Sequence, residues 1–262
     1  MRYCWPAVMA VLLACGPASA QQQAPANPSF DPSKESLDAL LVQWEQKMKA
    51  INTLAASVTR TKIDAVFKTT EVFEGNAYYM KPNLALLDLH MKGQQTRFER
   101  YVSTGTFLYE YNQATRELRS HELPPPKAGQ PADDNFLSFL FGMKAEEAKR
   151  RYDIHFMGPG HDANYYYLEI IPRFAADKTD FQKAALALTK GTFLPRLLTI
   201  EEPNGSKVQW EIPVVEPGAR LTRQHFEQPQ LPAGWKAVRV PRQDTGFDAA
   251  NGVPPRLVRP QK

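Results

Sequence analysis

Leu37, Leu40, Leu41, Trp44, Met48 and Ile51 recur at spacings of three, four and seven residues. That spacing gathers them into one apolar stripe, the signature of an amphipathic helix running to about Ala50. Upstream, Asp31-Pro32 has the form of an N-cap followed by a first-turn proline. Past Ile51 the period changes to two. Tyr, Phe, Val and Thr alternate with charged residues over 54–66, 70–80, 84–90, 96–103, 106–111 and 116–122, which predicts six strands. The turns between them, at Lys81-Pro82-Asn83, Ser103-Thr104-Gly105 and Asn112-Gln113, are short. Connections this short join antiparallel neighbours, because a parallel pair needs a long crossover.

Leu123-Pro124-Pro125-Pro126 ends the run. Asp133-Asp134 then reads as the cap of a short helix, Asn135 to Phe141, that is apolar on nearly every side, and Lys144 to Arg151 as a second, highly charged one. Strands resume over 152–156, 165–171, 181–189, 194–202 and 207–214, with Gly158-Pro159-Gly160 and Pro203-Asn204-Gly205-Ser206 as hairpin signals. The pattern therefore predicts a mainly β protein of the α+β class: about eleven antiparallel strands with a few helices, in one domain over residues 31–237. Residues 238–262 are rich in Pro and Arg and read as a disordered tail.

The N-terminus changes the cellular picture. Arg2, the apolar run AVMAVLL at 7–13 and the small-x-small site Ala18-Ser19-Ala20 form a signal peptide over residues 1–20, followed by a Gln/Ala/Pro-rich spacer over 21–30. Leu12-Leu13-Ala14-Cys15 offers a competing lipobox, in which Cys15 is lipidated. Cleavage after Ala20 is favoured and implies a periplasmic or secreted protein of 262 − 20 = 242 residues. Both cysteines, Cys4 and Cys15, leave with the leader, so disulfides, Cys-bound zinc and thiol nucleophiles are excluded from the mature chain. The loss of Arg2 brings the formal charge to 31 − 28 = +3. There is no basic block, so nucleic acid is not an expected partner.

Several segments resemble the LolA/LolB lipoprotein-localisation superfamily, from Leu37 to Trp235. Leu54-Ala55-Ala56-Ser57-Val58-Thr59-Arg60 resembles the first strand of those carriers. Phe73-Glu74-Gly75 through Lys81-Pro82-Asn83-Leu84 resembles their EGxxxxxRPxxF segment, and Thr104-Gly105-Thr106-Phe107-Leu108-Tyr109-Glu110-Tyr111 their DGxxLWxYxP strand. A Phe181 strand, a Leu194 strand, Asn204-Gly205, Phe226 and Pro232-Ala233-Gly234-Trp235 follow in the order of that superfamily. Asp133 to Gly142 also resembles an uncharacterised secreted planctomycete family in its wording. The superfamily resemblance implies a strongly curved, unclosed half-barrel with helices over its concave face and a cavity that takes acyl chains. The arginine that latches the carriers' lid is Lys81 here, which lacks the planar donor fork of arginine.

Within that frame the ligand-binding candidates are Trp44 and Met48 on the helix stripe, Tyr79, Leu87, Phe107 and Tyr109 on strands, and Phe136, Phe139 and Leu140 on the apolar helix. Lys81 is the candidate latch. A short helix without a polar face must be buried or cover a cavity. Each strand aromatic also fits ordinary core packing.

Candidate catalytic chemistry is sparse. His90, His121, His155, His161 and His225 are scattered without metal-ligand spacing, and no G-x-S-x-G, P-loop or G-x-G-x-x-G occurs. Expected, then, is a non-enzymatic monomer without cofactor or metal, binding or carrying lipid acyl chains or lipidated proteins. The alternative is an envelope sensor or scaffold that uses the fold to contact another protein, such as an envelope membrane protein.

Overall fold

The computed structural model describes residues 36–123 and 144–240. The leader, the spacer, the Asp133-Asp134 cap, the Phe136–Phe141 segment and residues 241–262 lie outside them. Helix α1 spans Leu37–Ala50. Its cap is Ser36, whose hydroxyl accepts the Ala39 N–H at 3.3 Å. The helix starts at Leu37, because an extended Ser36 already supplies the acceptor an N-terminus needs, and the predicted Asp31-Pro32 start lies outside the described residues.

Six strands follow: β1 (Thr53–Ile63), β2 (Thr70–Met80), β3 (Leu84–Met91), β4 (Gln94–Thr104), β5 (Phe107–Asn112) and β6 (Glu117–Glu122). Helix α2 (Ala145–Arg151) leads into β7 (Tyr152–His161) and β8 (Tyr165–Pro172). A single turn, α3 (Ala175–Lys178), precedes β9 (Lys183–Thr189), β10 (Pro195–Glu201) and β11 (Lys207–Pro217). A 3-10 turn at Arg223–Phe226 and strand β12 (Lys236–Val240) complete the described chain.

All twelve strands form one sheet in the order β12-β6-β5-β4-β3-β2-β1-β11-β10-β9-β8-β7. Its edges do not pair with each other, so it is an open, curved half-barrel rather than a closed barrel. A bulge between Ser57 and Thr59 breaks the β1–β11 register near mid-sheet, and bulges of this kind add bend and twist.

Two expectations need correction. Gly158-Pro159-Gly160 is not the β7–β8 turn. Its glycines take φ of 55° and 79° within an irregularity of β7. The reversal comes at 162–164, where the Asp162 carboxylate accepts the N–H groups of Asn164 (2.7 Å) and Tyr165 (2.8 Å). Likewise, Val238 to Val240 are not part of a tail but belong to β12, which pairs with β6 in parallel. The antiparallel rule holds for the hairpins. Strand β12 escapes it because residues 218–235 supply a long crossover from β11, in mid-sheet, to the far edge.

The inner face of the sheet carries the main core. Leu40, Leu41, Trp44 and Met48 of α1 join Leu54, Ala56 and Val58 of β1, Phe73 and Ala77 of β2, and the buried residues of β8 to β11 in one cluster. A second, smaller cluster of Val102, Tyr109 and Leu118, with Leu86, Phe107 and Tyr111 against it, is separate.

Candidate functional site

Strand register assigns every side chain to a face, because residues directly opposite across a sheet point the same way. Leu54 stands opposite Tyr79, Tyr79 opposite Ala85, and Ala77 opposite Leu87. Tyr79 and Leu87 therefore share the inner face with Leu54, and both pack on the cluster that contains Trp44 and Met48. Four of the sequence-derived candidates thus meet in one place, the inner face beneath α1. Met91, Ile200, Trp210 and Val215 line the same face half-buried. Sequence reasoning did not single these four out. The period-two pattern could have placed Met91 beside Leu87 and Leu89, but no local signal places β10 and β11 next to β1.

Phe107 and Tyr109 lie on the other face. Tyr109 is opposite Val102, Val102 opposite Leu86, and Leu86 opposite Tyr78, the neighbour of Tyr79 that points outward. They belong to the smaller cluster on that face and do not join the other described candidates. Phe136, Phe139 and Leu140 lie outside the described residues.

The inner face has two characters. Under the helices it is apolar. Towards β4, β5 and β6 the inner face carries Glu99, Tyr101, Glu110, Arg119 and His121. Arg60 marks the border: its guanidinium grips Glu99 through two bonds of 2.6 and 2.7 Å and lies 4.7 Å from the Phe73 ring centre and 5.8 Å from that of Trp210. Such a fork holds the carboxylate in one plane while its flat face covers aromatic surface. His121 Nε2 lies 3.2 Å from Glu110 Oε2, and this hydrogen bond holds the Glu110 carboxyl below the usual carboxylate range. Burial, with Glu99 and Glu110 nearby, pushes the Tyr101 phenol up to about 12.

Lys81 fastens the cover at one end. Its ammonium donates to the carbonyl of Lys49, in the last turn of α1. A cation at a helix C-terminus is favourable because the last carbonyls are unsatisfied and the dipole is negative there. The described partner of this candidate latch is α1; the Phe136–Phe141 segment lies outside the described residues. At mid-helix the Glu45 carboxylate accepts the Ala145 N–H at 2.8 Å and so ties α1 to the first turn of α2. Lys149 reaches Asp38 at 3.3 Å. Removing the Lys81 cation should fray the α1 C-terminus: in Lys81→Ala, amide exchange over residues 48–51 should rise roughly twofold to fivefold, and Lys81→Arg should restore most of the protection. Unchanged exchange in Lys81→Ala would mean that the contact carries no weight in solution.

The histidines are dispersed. His90 lies 3.4 Å from Asp88, His155 lies 3.1 Å from Asp153, His161 meets Lys190, and His225 caps the 3-10 turn through Thr222. Among the described residues no group of three or more His, Cys, Asp or Glu could hold a metal ion. No described helix is long and apolar enough to cross a membrane.

No family model matches the chain, and no curated protein does. The comparison with solved structures gives neighbours of low identity. A LolA superfamily protein from Nitrosomonas europaea is 11% identical with a TM-score of 0.35, over 71% of this chain and 96% of that one. An uncharacterised conserved protein from Thermus thermophilus is 12% identical with a TM-score of 0.47, over 77% of this chain and 98% of that one. The MucA/MucB complex of Pseudomonas aeruginosa gives 10% identity and a TM-score of 0.43, over 73% of this chain and 61% of that one.

On the other face a hollow lies beneath the crossover. It measures about 560 Å³ and is lined by Leu86, Asp88, Phe98, Arg100, Tyr111 and His225 among others. Arg100 pairs with Asp88 at 2.5 Å on its floor. Trp235 packs on two of its lining rings, stacked on Phe98 at 6.3 Å between ring centres and edge-on to Tyr111 at 5.7 Å.

Proposed function

We propose that this protein is a non-enzymatic binder or carrier of lipid acyl chains, free or attached to protein, which it holds in the concave hollow. One observation carries the reading: Tyr79, Leu87, Met91, Ile200, Trp210 and Val215 form an apolar inner surface that is packed from behind but only half-buried. Half-exposed apolar side chains on a concave face are what a flexible hydrocarbon chain can cover. Each methylene taken out of water contributes about 0.8 kcal/mol, so a chain lying along this surface needs no specific polar contact to bind. The polar strip at Glu99, Tyr101, Glu110 and His121 suits a headgroup at the other side of the same hollow. The leader-like N-terminus supports a place in the cell envelope, where such chains are abundant.

Native mass spectrometry of protein purified from its own envelope tests this directly, with retained lipid as the expected result. Leu87→Asp should weaken binding of a fluorescent fatty-acid probe about tenfold, the equivalent of roughly two lost methylene contacts. A protein that carries no lipid, and that binds the probe equally well with and without Leu87→Asp, would leave the scaffold reading in its place.

A further inference from the structure

The β1–β2 connection, residues 64–69, breaks the rule that large apolar side chains avoid water. Val66 is 65% exposed and Phe67 68%, and Ile63 at the end of β1 is 46% exposed. A floppy loop could fold such residues away, but this one is held. The Asp64 carboxylate accepts the N–H groups of both Val66 and Phe67 at 2.8 Å, and the Asp64 N–H donates to the Thr69 carbonyl at 2.9 Å. Lys68 takes a left-handed φ of 56°, which closes the turn. The tip is also tied to the neighbouring hairpin: the Ala65 N–H donates to the hydroxyl of fully buried Ser206 at 3.0 Å. Asp64 and Ser206 thus fix the backbone so that the two apolar side chains stand outward.

The surroundings say what such a tip fits. Lys62 and Lys68 bracket it in sequence, and Lys207 stands opposite Ile63 in the β1–β11 register. The one acidic group in the turn, Asp64, is engaged by the turn's own amides. Phe174, in the connection between β8 and β9, is 56% exposed at the same end of the sheet. Lys207 lies 3.9 Å from Glu201, and Glu71, opposite Lys62, is held by Arg97 at 2.8 Å. Apolar side chains flanked by Lys62 and Lys68 match a lipid surface, where the apolar groups enter the acyl boundary and the ammonium groups meet anionic headgroups.

We propose that the β1–β2 tip, with Val66 and Phe67 as its apolar point and Lys62 and Lys68 as flanking cations, docks this protein on an anionic lipid bilayer. Val66, Phe67 and Lys68 lie in the turn at the end of the sheet, and Lys62, at the end of the inner face opposite Glu71, is not one of the apolar side chains proposed to hold acyl chains, so the proposal stands or falls apart from acyl-chain binding. Because both apolar side chains are exposed, replacing them leaves the core intact, and equal melting temperatures would verify that.

Vesicle co-sedimentation tests it, with phosphatidylcholine vesicles prepared with and without phosphatidylglycerol. The unaltered protein should bind the anionic vesicles about tenfold more tightly than the neutral ones. The double variant Val66→Asp/Phe67→Asp should lose at least about tenfold in binding to the anionic vesicles. Lys62→Glu/Lys68→Glu should abolish the preference between the two compositions. Absence of binding by the unaltered protein, or undiminished binding by Val66→Asp/Phe67→Asp, would overturn the proposal. So would a change in sedimentation coefficient of that double variant with vesicle binding intact, which would make the tip a protein contact instead.

Discussion

Gly75→Ala should cost this protein about 3 kcal/mol or more and lower its urea midpoint by roughly 1 M, the largest effect expected of any single methyl group here. Gly75 lies on the inner face of β2, opposite Val58 on one side and Leu89 on the other. A Cβ there would stand 1.9 Å from the carbonyl oxygen of Asp88, 2.9 Å from its carbonyl carbon and 3.0 Å from Leu89 Cα. These are backbone atoms of the paired strand and cannot rotate away as a side chain would. The β2–β3 ladder would have to open beneath α1, at the apolar part of the hollow. The glycine therefore acts through close strand approach. An unchanged urea midpoint would mean that β2 and β3 can separate at this point without loss.

Phe226→Ala should cost about 3 to 4 kcal/mol, the usual range for removing a buried phenylalanine side chain. Phe226 is only 2% exposed, although it lies in a 3-10 turn of a long connection. The turn packs on the outer face of β3 and β4, away from α1, and its ring anchors one end of the crossover as Trp235 anchors the other. The loss should appear first as local opening. Limited proteolysis should cut within residues 218–235 before the sheet unfolds, and tryptophan emission should shift to the red as Trp235 leaves Phe98 and Tyr111. A loss below about 1 kcal/mol, with the crossover still resistant to protease, would show that Phe226 does not hold it down.

Both effects fall on residues present in the motifs that resemble the carriers, yet neither was readable as a stability determinant. Gly75 sits in a strand pattern, where an isolated glycine signals a bulge or a close backbone approach without naming the other backbone. Phe226 sits in a Pro- and Gln-rich stretch with no periodicity, so nothing local separates a buried anchor from a loop aromatic.

What the chain determined by itself is its local order. The three- and four-residue spacing of Leu37, Leu40, Leu41, Trp44 and Met48 specifies α1, and the buried residues of that helix are those of the stripe. The period-two runs and short turns specify the hairpins, since consecutive strands with short links have no choice but to pair antiparallel. Tertiary structure decided what depends on partners distant in sequence. Tyr79 and Tyr109 have the same local pattern, but the register through β3 and β4 turns Tyr79 towards α1 and Tyr109 away from it. The same holds for β12: Lys236 to Val240 resembles any charged tail until the crossover carries it to the open edge of β6. A strand's period is written in its own residues, whereas the face it buries depends on the whole ladder of neighbours. The shared inner face of the candidate residues therefore became visible only once β1, at the centre of the sheet, was paired with both β2 and β11.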